Sequence, residues 1–460
     1  KRWRRWPGSG AITMRAGPSG KESLRIACAL SVTLMLAACG ATEMFDSDDE
    51  EPLVGERISV LEHGQGFNAD PEVAALQVAL PGAIANDTWP QAGGYPSHAM
   101  HHLALVDAPG QIWRTSVGSG GDSYRPLVTE PVAAGGRIYA MDSASNLSAL
   151  DLASGAVVWR RDLTPESEDE LFGGGIATDG ARVYVTTDYG YIYAVDAASG
   201  EIVWTTRIDS PVRAPPGFAD GRLVVVTLDN RAIALSMETG EIQWTHTGPI
   251  GQASLLGAAS PALDDDTVVV AYTSGDVFAL DVSTGQARWS DALISRLLRA
   301  SATRVGGVTG RIVIDGGVVY VSGNSGTTVA VDQATGLRVW ERAASSTEGP
   351  WLAGDFIYMI TADQILLCLT RSGGQVKWFQ ELPRFTDPED RSGPISWSGP
   401  VLAGDRLFAV SSEGGAVVAS PFTGEIIGTF DLPTGTRVAP IVVNGGLYML
   451  LGDASLIALR

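Results

Sequence analysis

A glycine followed four residues later by a tryptophan recurs along this chain, and that repeat constrains the fold more than any other feature. The copies are Gly155/Trp159, Gly200/Trp204, Gly240/Trp244, Gly285/Trp289, Gly336/Trp340 and Gly374/Trp378. A degenerate copy follows at Gly424, where Gly428 fills the tryptophan slot. An earlier one carries Trp113, with Gly110 a place later than the pattern asks. The period is about 40–50 residues, which marks stacked supersecondary units rather than one continuous domain pattern.

Within a unit the apolar runs are short and rich in β-branched and aromatic residues. Ile138-Tyr-Ala-Met, Asn146-Leu-Ser-Ala-Leu and Val157-Val-Trp-Arg are divided by Gly, Asn, Asp and Ser. That is the signal of strands and tight turns. The step Asp-x-x-Ser/Thr-Gly recurs at Asp151, Asp196, Asp281 and Asp332. Asp can bond the backbone of its own turn, and Gly supplies the positive φ that closes it. Four short antiparallel strands per unit make a propeller blade. The middle hairpins begin near Tyr139, Tyr184, Val225, Val270, Tyr320, Tyr358, Phe408 and Tyr448, which gives eight. The expected fold is all-β, an eight-bladed propeller of four-stranded antiparallel blades. The first tryptophan-bearing segment precedes any hairpin, and the last hairpin has nothing after it. Residues 111–117 should therefore supply the outer strand of the final blade and remove its free edge. Trp113, Trp159, Trp204, Trp244, Trp289, Trp340 and Trp378 are expected to pack between blades, since large aromatic rings dominate cores.

The domain plan has three parts: residues 1–38, 39–86 and 87–460. The first carries Arg15, Lys21 and Arg25 ahead of an apolar run from Ile26 to Ala38, a signal-peptide pattern too short to span a bilayer. Met14 is the expected start of translation. Leu36-Ala-Ala-Cys39 resembles a lipobox, in which Cys39 would be lipidated. By the sorting pattern of such lipoproteins, Gly40 points to the outer membrane of a Gram-negative bacterium, on its periplasmic face. The second part opens with Asp46-Ser-Asp-Asp-Glu-Glu51, a block of like charge that reads as a flexible tether. A helix over residues 71–80, capped by Asp70, is expected to interrupt it.

Charge and chemistry narrow the function classes. The chain has 32 Lys+Arg against 52 Asp+Glu, a net charge of −20. Such a surface repels phosphate backbones, so nucleic acid is not an expected partner. Of three cysteines, Cys368 sits in an apolar strand and is read as a core thiol. His98, His101 and His102 cluster, but without cysteine and with few acids nearby, so no metal is expected. No nucleophile elbow, phosphate loop or catalytic triad stands out.

The run from Val183 to Trp204 resembles the repeat of pyrroloquinoline-quinone-type propellers, and the resemblance covers residues 89–460. Two branches of that family differ in what they imply. Quinoprotein dehydrogenases use adjacent cysteines, a calcium set and an Asp base; here no adjacent cysteine pair exists and no calcium set can be placed. A quinone-dependent dehydrogenase, or a relic of one, is the alternative reading. The BamB-like outer-membrane assembly lipoproteins fit more: lipobox, tether, eight blades and closure by an N-terminal strand. That resemblance implies a scaffold without cofactor or catalysis. Its loops would hold a POTRA domain of a BamA-like barrel-inserting protein, alongside other assembly-complex subunits and, by extension, nascent outer-membrane proteins. The family's Leu-x-Leu-Arg-Gly contact loop maps onto residues 253–257, where Leu255 and Gly257 keep the pattern while Ala253 and Leu256 depart from it. The family's acidic pair is not evident at residues 306–310. Leu297, Leu298 and Arg299 offer an apolar patch with an arginine that could substitute. The partner-binding set expected here is therefore Leu255, Leu256, Gly257, Leu297, Leu298 and Arg299.

Overall fold

A computed structural model describes residues 67–122, 125–165, 173–249, 259–293, 308–324 and 326–460. Eight four-stranded antiparallel sheets follow one another. Blade 1 consists of Val132–Ala134, Arg137–Met141, Asn146–Asp151 and Val157–Asp162. Blades 2 to 7 repeat the plan over residues 174–207, 217–247, 262–292, 313–342, 351–381 and 397–431. Inner strands are almost wholly buried, while outer strands alternate exposed and covered positions.

The final blade closes as expected. Gln111–Ser116 pairs antiparallel with Ser455–Leu459, and Gly110 and Arg460 exchange both backbone hydrogen bonds. Blade 8 thus joins both arms of the chain, and no blade is left a strand short.

Each tryptophan does the same job in the same place. Trp159 donates its indole N–H to Ala197 O at 3.1 Å, in the turn between the third and fourth strands of the next blade. The same bond joins Trp113 to Leu152, Trp204 to Met237, Trp244 to Val282, Trp289 to Gln333, Trp340 to Arg371 and Trp378 to Pro421. The ring lies on the glycine of that turn. At Gly285, with φ +71°, an added Cβ would stand 2.6 Å from the Trp244 ring. In four of the seven turns an Asp accepts from the residues it spans, as Asp196 takes the N–H of Ala198 and both donors of Ser199, and in the other three the hydroxyl of Ser236, Thr370 or Ser420 stands in its place. Those bonds hold the Asp196 carboxyl below its usual range.

The Gly428 slot now has a physical reason. It faces blade 8, where the third and fourth strands are not joined by a turn but are the two arms of the chain. No glycine turn stands there for an indole to cover.

Three departures from the expected layout appear. The helix is a single turn, Pro71–Ala74, and Asp70 makes no side-chain cap. Its carboxylate instead accepts the Val376 N–H at 2.5 Å and faces Arg342 at 3.4 Å, docking the segment on blade 6. A small hairpin, Phe385–Asp387 with Ser392–Pro394, stands between blades 6 and 7. Residues 84–106 do not merely precede the ring; they are part of its interior. Residues 295–303 lie outside the described residues.

Two glycines with the same backbone separate ring contact from backbone strain. Gly221 has φ +72° and nothing within 4 Å of an added Cβ. Gly285→Ala and Gly221→Ala should share a left-handed penalty of about 1–2 kcal/mol. Gly285→Ala should lose a further ~1–3 kcal/mol to overpacking against Trp244. Chemical denaturation of the two variants measures the difference, and equal losses would remove the indole from the account of blade packing.

Candidate functional site

The strap formed by residues 84–106 passes the inner strand of every blade. It starts at blade 8, where Asn444 N donates to Asn86 O and Asn86 Nδ2 donates to Val442 O. Trp89 exchanges both backbone bonds with Ala133 of blade 1, and Thr178 of blade 2 donates to Pro90 O. Phe218 N of blade 3 donates to Gln91 Oε1 at 3.2 Å. Leu263 of blade 4 donates to Pro96 O and Ile314 of blade 5 to Ser97 O. The Trp351 indole of blade 6 donates to His101 O at 2.7 Å, and Leu103 bonds Leu402 and Gly404 in blade 7. Trp351 apart, these contacts run from the middle of the inner strands to just past their ends, so the strap fills the channel on that side. Trp89, Gln91, Met100 and Leu103 are fully covered.

The histidines belong to this plug. His98 Nδ1 donates to Ile312 O at 2.6 Å, and its Nε2 has no partner among the described residues. Burial pushes its pKa down to about 4, and the nearby Arg311 guanidinium pushes the same way. His102 Nδ1 donates to Pro81 O, and its Nε2 accepts the Asp405 N–H. His101 Nε2 stands 3.7 Å from Asp315. The three rings serve three different neighbours and do not converge on a point.

Above the strap, the other mouth of the channel is a cup of about 180 Å³. Ala92 of the strap contributes to it, with Glu130, Arg213, Arg311, Glu348 and Arg437 from the segments that lead into inner strands. Glu130 ties plug to ring. Its Oε1 accepts the Trp89 indole at 2.8 Å and the Gly93 N–H at 2.7 Å, and its Oε2 faces Arg311 at 3.4 Å. Arg213 forms a forked pair with the buried Asp188 at 2.7 and 3.0 Å. Glu348 accepts the Gly399 N–H at 3.3 Å. It sits deep in the ring with part of its surface open to the channel. Burial pushes its pKa up to about 7; Glu130 adds to the rise and Arg311 opposes it.

The sequence reading missed this cup, although a signal exists. Inner strands begin at a recurring proline, and a charged residue stands one to three places before it: Glu130-Pro131, Arg213-Ala-Pro215, Glu348-Gly-Pro350 and Arg437-Val-Ala-Pro440. Of the predicted site residues, the seven tryptophans lie at blade seams and not in the cup. Cys39 and the set Leu255, Leu256, Gly257, Leu297, Leu298 and Arg299 lie outside the described residues. The segments flanking that set enter blades 4 and 5 on the cup side, since Ser260 and Thr309 both line the cup. Cys368 is buried in the third strand of blade 6, where burial raises its thiol pKa. No described helix is long and apolar enough to cross a membrane.

Removing the Glu130 carboxylate would leave the Trp89 indole, the Gly93 amide and Arg311 without their acceptor. Glu130→Ala should destabilise the fold by about 2–4 kcal/mol, with faster hydrogen exchange at Gly93. Unchanged exchange there would mean that Glu130 does not hold the strap. Glu348 gives a pH signature. Its folded pKa lies above the unfolded value, so the carboxyl favours folding at low pH and that contribution is lost as pH rises through about 7. Glu348→Gln should match the parent near pH 4 and exceed its stability by about 1–3 kcal/mol near pH 8.5. A pH-independent difference in denaturation midpoint would contradict the assignment.

Comparison with known proteins adds sequence to geometry. The profile of the family described as "Outer membrane protein assembly factor BamB" matches residues 99–168 and 143–380. The BamB of Yersinia pestis is 27% identical over 324 residues, covering 68% of this chain and 81% of its own. The crystal structure of BamB from Moraxella catarrhalis superposes with a TM-score of 0.65 at 20% identity, covering 76% of this chain and 99% of that one. The quinohemoprotein alcohol dehydrogenase of Comamonas testosteroni gives the same TM-score, 0.65, at 15% identity, covering 82% of this chain and 81% of its own. Both structural likenesses speak for the propeller alone.

Proposed function

The chain belongs to the BamB family of outer membrane protein assembly factors, and from that premise we propose that it is a non-catalytic scaffold of the machinery that assembles outer-membrane β-barrel proteins. It is held at the periplasmic face of the outer membrane by lipid on Cys39, through the acidic segment that follows it. Its partner is a BamA-like barrel-inserting protein, engaged through a POTRA domain, within a complex that includes further assembly subunits.

The observation that carries the reading is the family match over residues 99–168 and 143–380. The strap adds a direction. One mouth of the channel is plugged by residues 84–106, and the open mouth is the side on which residues 250–258 and 294–307 join their blades. Leu255, Leu256, Gly257, Leu297, Leu298 and Arg299 all fall in those two connections. An apolar group with an arginine suits the centre of a protein interface.

The dehydrogenase alternative draws on the shared fold, and fold does not decide chemistry. Against it, the sequence holds no adjacent cysteine pair. The cup presents arginines and glutamates, with no tryptophan in its lining among the described residues.

The test is capture from detergent-solubilised envelope. The parent protein should bring down the barrel-inserting protein, and Leu255→Glu with Arg299→Glu should reduce recovery at least tenfold, about 1.4 kcal/mol of interface energy. A parent protein that never co-purifies with that machinery would overturn the scaffold reading. Dye-linked alcohol oxidation on addition of quinone and calcium would favour the alternative.

A further inference from the structure

We propose that the channel cup is a binding site for a small free carboxylate, held by Arg311 and Arg437. The argument begins with donors that the protein leaves unused. The Arg311 side chain is only 20% exposed, yet its sole ionic partner among the described residues is Glu130 at 3.4 Å, and it makes no side-chain hydrogen bond among them. Glu130 Oε1 already accepts from the Trp89 indole and the Gly93 amide, which leaves Oε2, at 3.4 Å, to meet one of the Arg311 donors. A guanidinium has five N–H donors in a fixed fork that matches a carboxylate. Those of Arg311 face the cup, whose contents must supply the acceptors. Arg437 stands at the rim, where its one described hydrogen bond is a long 3.4 Å contact with Ser396 Oγ.

Charge and size select the ligand class. The cup sets two arginines, beside the Arg213–Asp188 pair, against Glu130 and Glu348 in a protein of net charge −20. The overall field repels anions, so a bound anion must be recognised by local contacts. Inorganic phosphate concentrates its charge on one tetrahedral centre beside both glutamates; a carboxylate is planar and fits the guanidinium fork, and a dicarboxylate divides its charge between two arginines. The 180 Å³ cup holds about six waters. That space admits a small acid, with Ser260 and Thr309 as further hydroxyls on the wall. The strap closes the cup below, so the ligand enters and leaves by the open mouth.

Calorimetric titration of the purified full chain with succinate tests the site, with acetate and inorganic phosphate as parallel arms. Succinate should saturate one site per chain. Arg311→Gln and Arg437→Gln should each raise its Kd at least tenfold. Arg437 is exposed and at the rim, so its variant keeps the test valid should Arg311→Gln fail to fold. Phosphate should bind more weakly than succinate. No saturable succinate binding, binding unchanged in Arg437→Gln, or phosphate binding more tightly would each overturn the proposal. No partner protein enters the measurement, so its outcome is independent of the scaffold reading.

Discussion

Everything in this ring depends on one contact made seven times, an indole laid on a glycine turn of the neighbouring blade. Burying an indole contributes a few kcal/mol through area, and its N–H bond to a turn carbonyl adds about 1 kcal/mol. Sheets of a propeller share no backbone ladder with one another, so such side-chain seams must carry the angle between blades. The glycine is required twice over. It adopts the positive φ of the turn, and it leaves room for the ring, as the 2.5–2.6 Å nearest approaches to a hypothetical Cβ at Gly155, Gly285 and Gly424 show. The carboxylate or hydroxyl of the turn then fixes the carbonyl that receives the indole.

A ring built from identical seams has a difficulty at its ends, and this chain meets it with two devices. Gln111–Ser116 completes blade 8, so the closing sheet is zipped by backbone bonds instead of by an indole. The strap then ties the inner strands together from inside, bonding blade after blade in ring order. Its contacts are largely backbone to backbone, with the Trp89–Glu130 bond as an internal latch. The missing tryptophan at Gly428 is therefore a consequence of where the chain was opened.

The legibility of the structure follows from this division. Repeated physics was readable: the glycine–tryptophan spacing gave blade number, strand order and the closing strand, because each copy reports the same contact. Unrepeated physics was not. The stretch from Asn86 to Leu103 has no period, and its His98, His101 and His102 drew attention to metal chemistry. The rings of His98 and His102 hold backbone carbonyls and an amide around the plug, and His101 stands beside the Asp315 carboxylate. Asp70 looked like a helix cap because Pro71 follows it, yet an outer strand offered its carboxylate a better donor. The cup residues were hidden for another reason. Glu130, Arg213, Glu348 and Arg437 are far apart in sequence and meet only because each precedes the inner strand of its blade.

The strap also decides how the two faces can be used. A propeller offers a channel with two mouths, and a partner or ligand could in principle take either. Here one mouth is filled by the chain itself, with a carboxylate buried beneath to hold the plug. Withdrawing the strap would expose Trp89, Met100 and Leu103 and strand Glu130 opposite Arg311, so opening that side is expensive. The segment just before the strap is docked on the same side, with Asp70 and Ala74 against Val376 and Lys377 of blade 6. The opposite mouth carries no such strap among the described residues. There Ser260 and Thr309, at the entries to blades 4 and 5, line a cup that also holds Arg311 and Arg437.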